Sequence, residues 1–325
     1  MLYDDIKNFN KQFEYEPRIE NAGKLKKFDK FIVCGMGGSH LAADLIRIWK
    51  PEIDLIVWSN YGLPPLLPKD LKERLLIVNS YSGNTEETID SFLTAKKKGI
   101  AVAAIASGGK LLRLAANFKV PYVAMPDMHI QPRLSVGLGT KSILALMGEK
   151  YAIDELGELS QKFKPSRLET PGRHLAKTLH GSIPVIYSSF KNFPIACNWK
   201  AKFNETGKIP AFCNYLPELN HNEMTGFDVS HSTASLSHRL HFLFLKDGDD
   251  DKRIMRRMTL LEGLLRKRGF MVDIVLLHGE NIWQKIFSAL SLADWASYYT
   301  AELYGVEAEQ VPMVEEFKKL IKPAS

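Results

Sequence analysis

Leu75-Leu76-Ile77-Val78-Asn79-Ser80-Tyr81-Ser82-Gly83-Asn84-Thr85 reads as a short apolar strand that ends abruptly in hydroxyls, a glycine and an amide. Glu86 and Glu87 then open a stretch with helical spacing. An unbroken apolar run of this length suits a strand covered on both faces, as in a parallel sheet. A strand that delivers Ser80, Ser82 and Thr85 to a helix N-terminus is a ready anion site. The first backbone N–H groups of a helix lack intrahelical partners, its dipole is positive there, and hydroxyls add neutral donors. The same residues also suit an ordinary helix cap, because Ser, Thr or Asn ahead of Glu satisfies those donors from within the chain. On this stretch alone both readings stand.

Outward from this strand the pattern repeats. Apolar segments at 31–35, 55–58, 102–107 and 122–125 alternate with helical patterns at 39–49, 86–98 and 110–117, and a helix at about 140–152 closes the first half. Strands alternating with helices predict a parallel sheet covered on both faces. The segment 154–171 is polar, carries Pro165 and Pro171, and reads as a connection between an N-terminal domain (1–153) and a C-terminal domain (154–325). Strand-like runs then recur at 183–188, 240–245 and 272–277, with helical stretches at 195–204, 253–268, 281–304 and 314–321. The expected fold is therefore α/β, with two doubly wound parallel-sheet domains in tandem. Asp247-Gly248-Asp249-Asp250-Asp251 is read as an exposed turn, since it lacks the ligand spacing and terminal Glu of a calcium loop.

Composition narrows the class. With 325 residues, 45% hydrophobic and 25% charged, the chain has material for one large or two medium cores. Cys34, Cys197 and Cys213 form neither a disulfide framework nor a metal spacing, which suggests a reducing compartment. The N-terminus lacks a signal-peptide core and no apolar run is long enough to span a membrane, so a soluble cytoplasmic protein with no membrane partner is expected. The formal charge of +6 is mild, and the basic clusters lack aromatic interleaving, so no nucleic-acid partner is expected. A modest positive field does favour small anionic substrates.

Cys34-Gly35-Met36-Gly37-Gly38-Ser39 stands between the first strand and its helix. Gly35-x-Gly37 imitates the start of a dinucleotide fingerprint, but its third glycine would fall at His40 and the second strand ends without an acid. No lysine completes a Walker-type loop. In a parallel sheet both glycine- and hydroxyl-rich loops emerge at the C-terminal edge, where Gly37, Gly38 and Ser39 can meet Ser80, Ser82 and Thr85 around one phosphate. Gln131-Pro132-Arg133 offers a guanidinium for developing oxyanion charge, or simply a surface arginine. The densest polar cluster runs from Asn198 to Pro210 and continues through Pro217-Glu218-Leu219-Asn220-His221-Asn222-Glu223. Carboxylates, amides and a histidine at a helix end suit proton transfer, and they equally suit the capping of turns. His238 and His241, three apart, are better read as core or surface residues than as a metal pair.

Ser80-Tyr81-Ser82-Gly83-Asn84-Thr85-Glu86-Glu87-Thr88 resembles the signature of sugar isomerase (SIS) domains. Together with Gly37-Gly38-Ser39, Gln131-Pro132-Arg133, Asn204-Glu205 and Pro217-Glu218-x-Asn220-His221-Asn222-Glu223, it resembles the bifunctional phosphoglucose/phosphomannose isomerase family. The resemblance runs from about residue 30 to about 319 and implies two tandem SIS domains of flavodoxin-like three-layer αβα form. It further implies that Gly37, Gly38, Ser39, Ser80, Ser82 and Thr85 hold a sugar phosphate, and that Glu205 shuttles a proton between C1 and C2 through a cis-enediol. His221, from the neighbouring subunit of a homodimer, would promote ring opening, and Arg133 would stabilise the enediolate. Lys318, with Lys319 as the adjacent alternative, best matches the family's C-terminal lysine. The implied reaction interconverts glucose 6-phosphate and fructose 6-phosphate, as in glycolysis and gluconeogenesis, and extends to mannose 6-phosphate in dual-specificity members. Those members carry threonine shortly before the lysine, where this chain has Gln310-Val311-Pro312. Neither a cofactor nor a metal is required, since one carboxylate over adjacent carbons with electrophilic help at the oxygens suffices. Such a base should be partly desolvated. SIS domains also serve as phosphosugar sensors without catalysis, and Glu205 and His221 distinguish the two roles. The polar stretch 231–237 finds no role.

Overall fold

The computed structural model describes residues 1–228 and 232–321; His231, at the start of the polar stretch noted above, lies outside the described residues. The chain divides into two compact units, one of residues 7–165 with 279–287, the other of 1–6, 166–278 and 288–325.

After α1 (Leu2–Lys7), the elements of the first half are β1 (Ile19–Glu20), β2 (Lys30–Cys34), α2 (Gly38–Trp49), β3 (Asp54–Trp58), α3 (Pro68–Lys72), β4 (Leu75–Asn79) and α4 (Glu86–Lys97). They continue with β5 (Val102–Ala106), α5 (Gly109–Asn117), β6 (Tyr122–Ala124), α6 (Val136–Met147) and α7 (Lys150–Lys162). The sheet order is β1-β6-β5-β4-β2-β3, parallel except for β1, which runs antiparallel to β6. In chain order the parallel strands are arranged 2-1-3-4-5, the flavodoxin-like order. Every residue of β4 and β5 is buried, as a strand covered on both faces requires. Ile32, Cys34, Leu76, Val78, Ala104 and Ala106 point to one face, where Phe92 and Ala95 of α4 and Leu111 and Ala115 of α5 cover them. Residues of the opposite parity face α6, which packs on β4, β5 and α2. α6 is buried almost all round and carries Lys141, whose ammonium donates to the Phe13 carbonyl and pairs with Glu16.

The second half holds α8 (Glu169–Leu179), β7 (Ile183–Ser189), α9 (Phe193–Glu205), β8 (Phe212–Leu216), α10 (Ala234–Ser237), β9 (Leu240–Asp247) and α11 (Lys252–Lys267). β10 (Met271–Leu277), α12 (Ile282–Tyr304) and α13 (Pro312–Leu320) complete it. Its sheet, β10-β9-β7-β8, is wholly parallel and in chain order reads 2-1-3-4, the first sheet's arrangement one strand shorter. Tyr187, Phe242 and Phe244 face Met258, Leu261 and Leu265 of α11 in its core. Among the described residues no helix is long and apolar enough to cross a membrane.

Three local expectations change. The single helix expected at 140–152 is two helices, parted at Gly148, whose φ of +80° is the left-handed turn that ends α6. The expected connection at 154–171 is largely helical, occupied by α7, a short 3₁₀ turn at Pro165–Leu168 and the start of α8. The acidic turn at 247–251 is only partly exposed: Asp247 and Asp250 are buried.

Candidate functional site

In the first sheet the chain turns to opposite sides at β2 and β4, so their C-terminal loops flank the topological switch point, where doubly wound folds bind ligands. The two loops are joined. Ser39 Oγ accepts from the Tyr81 N–H at 3.3 Å, and Asn79 Nδ2 donates to the Ser39 carbonyl at 2.8 Å. Ser80 and Thr85 hydroxyls bond each other at 2.8 Å, while Ser82 is exposed and its Oγ accepts from Asn84 N–H. Thr85 is the N-cap of α4 yet makes no side-chain cap bond, and the N-cap of α2 is Gly37, at φ +53°. The loop's hydroxyls therefore bond within the loop, and Thr85 does not cap α4 as the capping account requires.

Arg133 lies in the 3₁₀ turn Pro132–Leu134, is only 7% exposed, and donates to Gln131 Oε1. Gly38 fixes this turn against the glycine loop: a Cβ there would stand 2.8 Å from the Pro132 carbonyl and 3.3 Å from Arg133 Cα. Gly83, at φ +65°, similarly lies so close to the Gly108 carbonyl that a Cβ would overlap it at 1.9 Å. Gly37, Gly38, Ser39, Ser80, Ser82, Thr85 and the Arg133 turn are thus brought to one edge of one sheet.

In the other unit, Glu205 is the last residue of α9 and half-buried. The chain leaves the helix tightly: Asn204 Oδ1 accepts from Ala211 N–H at 2.9 Å, and a Cβ on Gly207 would meet the Phe203 carbonyl at 2.8 Å. Lys208, at φ +56°, donates its ammonium to the carbonyls of Glu205 and Gln310. It ties the end of α9 to the chain just ahead of α13, a role that neither its spacing nor its neighbours announce. One turn before Glu205, Lys202 pairs with Asp294 of α12, both 3% exposed, and Trp199 Nε1 donates to the Ala289 carbonyl at 3.0 Å. Lys318 is exposed and paired with Glu315 at 2.7 Å. Its helix has no buried residue; Met313, Phe317 and Leu320 are 81%, 60% and 75% exposed.

His221 is exposed at the end of the 3₁₀ turn Glu218–His221. Beneath it, Glu223 accepts from the Tyr187 hydroxyl on one oxygen and from the Asn214 amide on the other. Burial, and then the Glu223 carboxylate, raise the Tyr187 phenol above its ordinary pKa, so that it stays a donor. Cys197 and Cys213 hold their sulfurs 3.7 Å apart, a thiol contact between α9 and β8. The switch-point crevice of this second sheet, beyond β7 and β9, holds a different set. Asn192 donates to Ser189, Asp247 and Asp250, and Lys191 pairs with Asp247 at 3.1 Å. Among the described residues no group of three or more His, Cys, Asp or Glu could hold a metal ion.

Residues 168–321 match the family model described as the bacterial phospho-glucose isomerase C-terminal SIS domain. The chain is 32% identical, over 99% of its length and 98% of the relative's, to a protein of Aquifex aeolicus named bifunctional phosphoglucose/phosphomannose isomerase. A protein of the same name from Thermoplasma volcanium is 30% identical over 94% of this chain and 95% of its own. Among solved structures, the C-terminal domain of glucosamine-fructose-6-phosphate aminotransferase from Francisella tularensis superposes with a TM-score of 0.69. It covers 95% of this chain and 96% of that one at 13% identity, a likeness of fold.

Proposed function

The chain belongs to the bifunctional phosphoglucose/phosphomannose isomerase family, and from that premise we propose that it interconverts glucose 6-phosphate and fructose 6-phosphate by proton transfer between C1 and C2. The phosphate is held by the backbone of Gly37 and Gly38 and the hydroxyls of Ser39, Ser80, Ser82 and Thr85, at the N-termini of α2 and α4. His221 opens the ring. Glu205 takes the C1 proton of fructose 6-phosphate and the electrons move onto the carbonyl oxygen, giving a cis-enediolate. The O1 hydroxyl proton passes to the O2 oxyanion, and Glu205 then returns its proton to C2 as O1 becomes the aldehyde carbonyl. Arg133 and Lys318 stabilise the negative oxygen, a term that counts most where water is excluded. Mannose 6-phosphate differs only in the face of C2 that receives the proton. With Gln310 in place of the family's threonine, we assign glucose 6-phosphate as the principal aldose and mannose 6-phosphate as the minor one.

The observation that carries the reading is Glu205, a half-buried carboxylate held at a helix end by the Asn204 and Gly207 turn. A sensor of phosphosugars needs the hydroxyl loops but has no use for that base. A coupled assay on fructose 6-phosphate, reading glucose and mannose 6-phosphate separately, tests it. Turnover to glucose 6-phosphate is expected. No turnover, with the sugar phosphate still raising Tm, would establish the sensor instead.

A further inference from the structure

The segment that carries His221 is fixed at two apolar points. Leu219 is fully buried, and Phe227 packs edge-on against Phe242 and Phe270, with ring centroids 4.9 and 5.9 Å away. Between them His221 and Asn222 are exposed. Asn222 makes local bonds, to Glu218 at 2.8 Å and with the Glu223 N–H, and Asn220 accepts from exposed Arg257 at 3.3 Å. Glu223 alone of these polar side chains reaches into the sheet. Its two oxygens take one donor each from adjacent strands, the Tyr187 hydroxyl of β7 and the Asn214 amide of β8. Asn214 is itself oriented, because its Oδ1 accepts from Tyr215 N–H at 2.8 Å. The side-chain amide therefore presents its donor, not its acceptor, to Glu223.

We propose that Glu223 is a positioning residue for His221, its carboxylate clamped between Tyr187 and Asn214 so that the imidazole two residues away leaves the surface at a fixed point. The proposal rests on the catalytic reading of His221 given above. A carboxylate accepts from both donors at once and an amide cannot: glutamine can set its one oxygen against the Asn214 NH2 only by turning its own NH2 to the Tyr187 hydroxyl, which must then give up donating. Loss of the clamp leaves the phosphate loops untouched, so the effect falls on kcat and not on KM. A displacement of about 1 Å at a reacting group costs on the order of 100-fold in rate.

The test is a cycle of Glu223→Gln, His221→Ala and the double variant, with folding checked by Tm. Glu223→Gln is expected to lower kcat about 10- to 100-fold with KM for fructose 6-phosphate nearly unchanged. In the His221→Ala background it should add nothing further. Adding Asn214→Asp to Glu223→Gln lets the glutamine donate to the new carboxylate and accept again from the Tyr187 hydroxyl, and should recover most of the loss. Tyr187→Phe, which keeps the ring, should give a smaller fall of the same kind and stands in if Glu223→Gln does not fold. Full activity in both Glu223→Gln and Tyr187→Phe, or an equal fall with and without His221, overturns the role of Glu223. Wild-type kcat in His221→Ala overturns the catalytic reading of that histidine and the proposal with it.

Discussion

His241 opens β9's inner face almost entirely buried, its Nε2 2.7 Å from Asp273 Oδ2 on β10. Burial outweighs the attraction of Asp273 and, with the nearby Arg266 charge, lowers the imidazole below its ordinary pKa. The unfolded chain is then the stronger proton binder. The contribution to stability is complete above the unfolded pKa of about 6.5 and is lost as pH falls through the lower folded value. Urea midpoints should accordingly drop between pH 7.5 and pH 5.5, and the drop should be smaller in His241→Gln, whose amide can still donate to Asp273. An equal drop in both proteins would remove His241 as the cause. Cys34 is as deeply buried as His241: its thiol is pushed up to about 12 by desolvation and is inert at neutral pH.

At the scale of elements, α9 carries Glu205 on a helix whose seat in the core depends on charge as well as on Trp199 and Phe203. Lys202 and Asp294 are paired where water does not reach. Removing one partner of such a pair strands the other charge and costs about 3–5 kcal/mol, whereas replacing both by apolar residues is far milder. Lys202→Met should therefore lower stability by about that amount, and Lys202→Met with Asp294→Leu should recover much of it, as read from urea unfolding. Strands with unbroken apolar runs, such as β4 and β5, were legible because burial on both faces leaves no other composition. β8 was not, since Phe212-Cys213-Asn214-Tyr215-Leu216 is an edge strand whose exposed Phe212 and polar Asn214 blur the pattern. α8 was hidden by Pro171 and Gly172. The proline sits in the first turn, where its missing N–H costs nothing, and the glycine is demanded by packing, as a Cβ would lie 2.4 Å from Trp295 Cβ. Lys208 and Glu223 were visible only as members of a polar cluster, because their partners lie 102 residues away at Gln310 and 36 away at Tyr187.

Over the whole chain, one strand order is used twice with opposite chemistry at the two switch points. The first crevice is edged by hydroxyls and helix N-termini, the second by buried Asp247 and Asp250 with an internal network from Asn192 and Lys191. A phosphate is repelled by the second set, so one sugar phosphate per chain is expected, and titration calorimetry should return one site. Exposed His221 adds a second expectation, that neighbouring subunits complete each other. Mixing Glu205→Ala and His221→Ala chains, each much slower than wild type, should raise the activity above that of either alone through mixed dimers, and no gain should appear if each chain is self-sufficient. The central claim is proton transfer by Glu205, and fructose 6-phosphate followed by NMR in D2O, with wild type and Glu205→Gln side by side, tests it most directly. Wild type should place deuterium on the transferred position as glucose 6-phosphate forms, while Glu205→Gln should bind the sugar phosphate yet lose about 100- to 10,000-fold in both labelling and isomerisation. Isomerisation by Glu205→Gln at the wild-type rate would contradict the account.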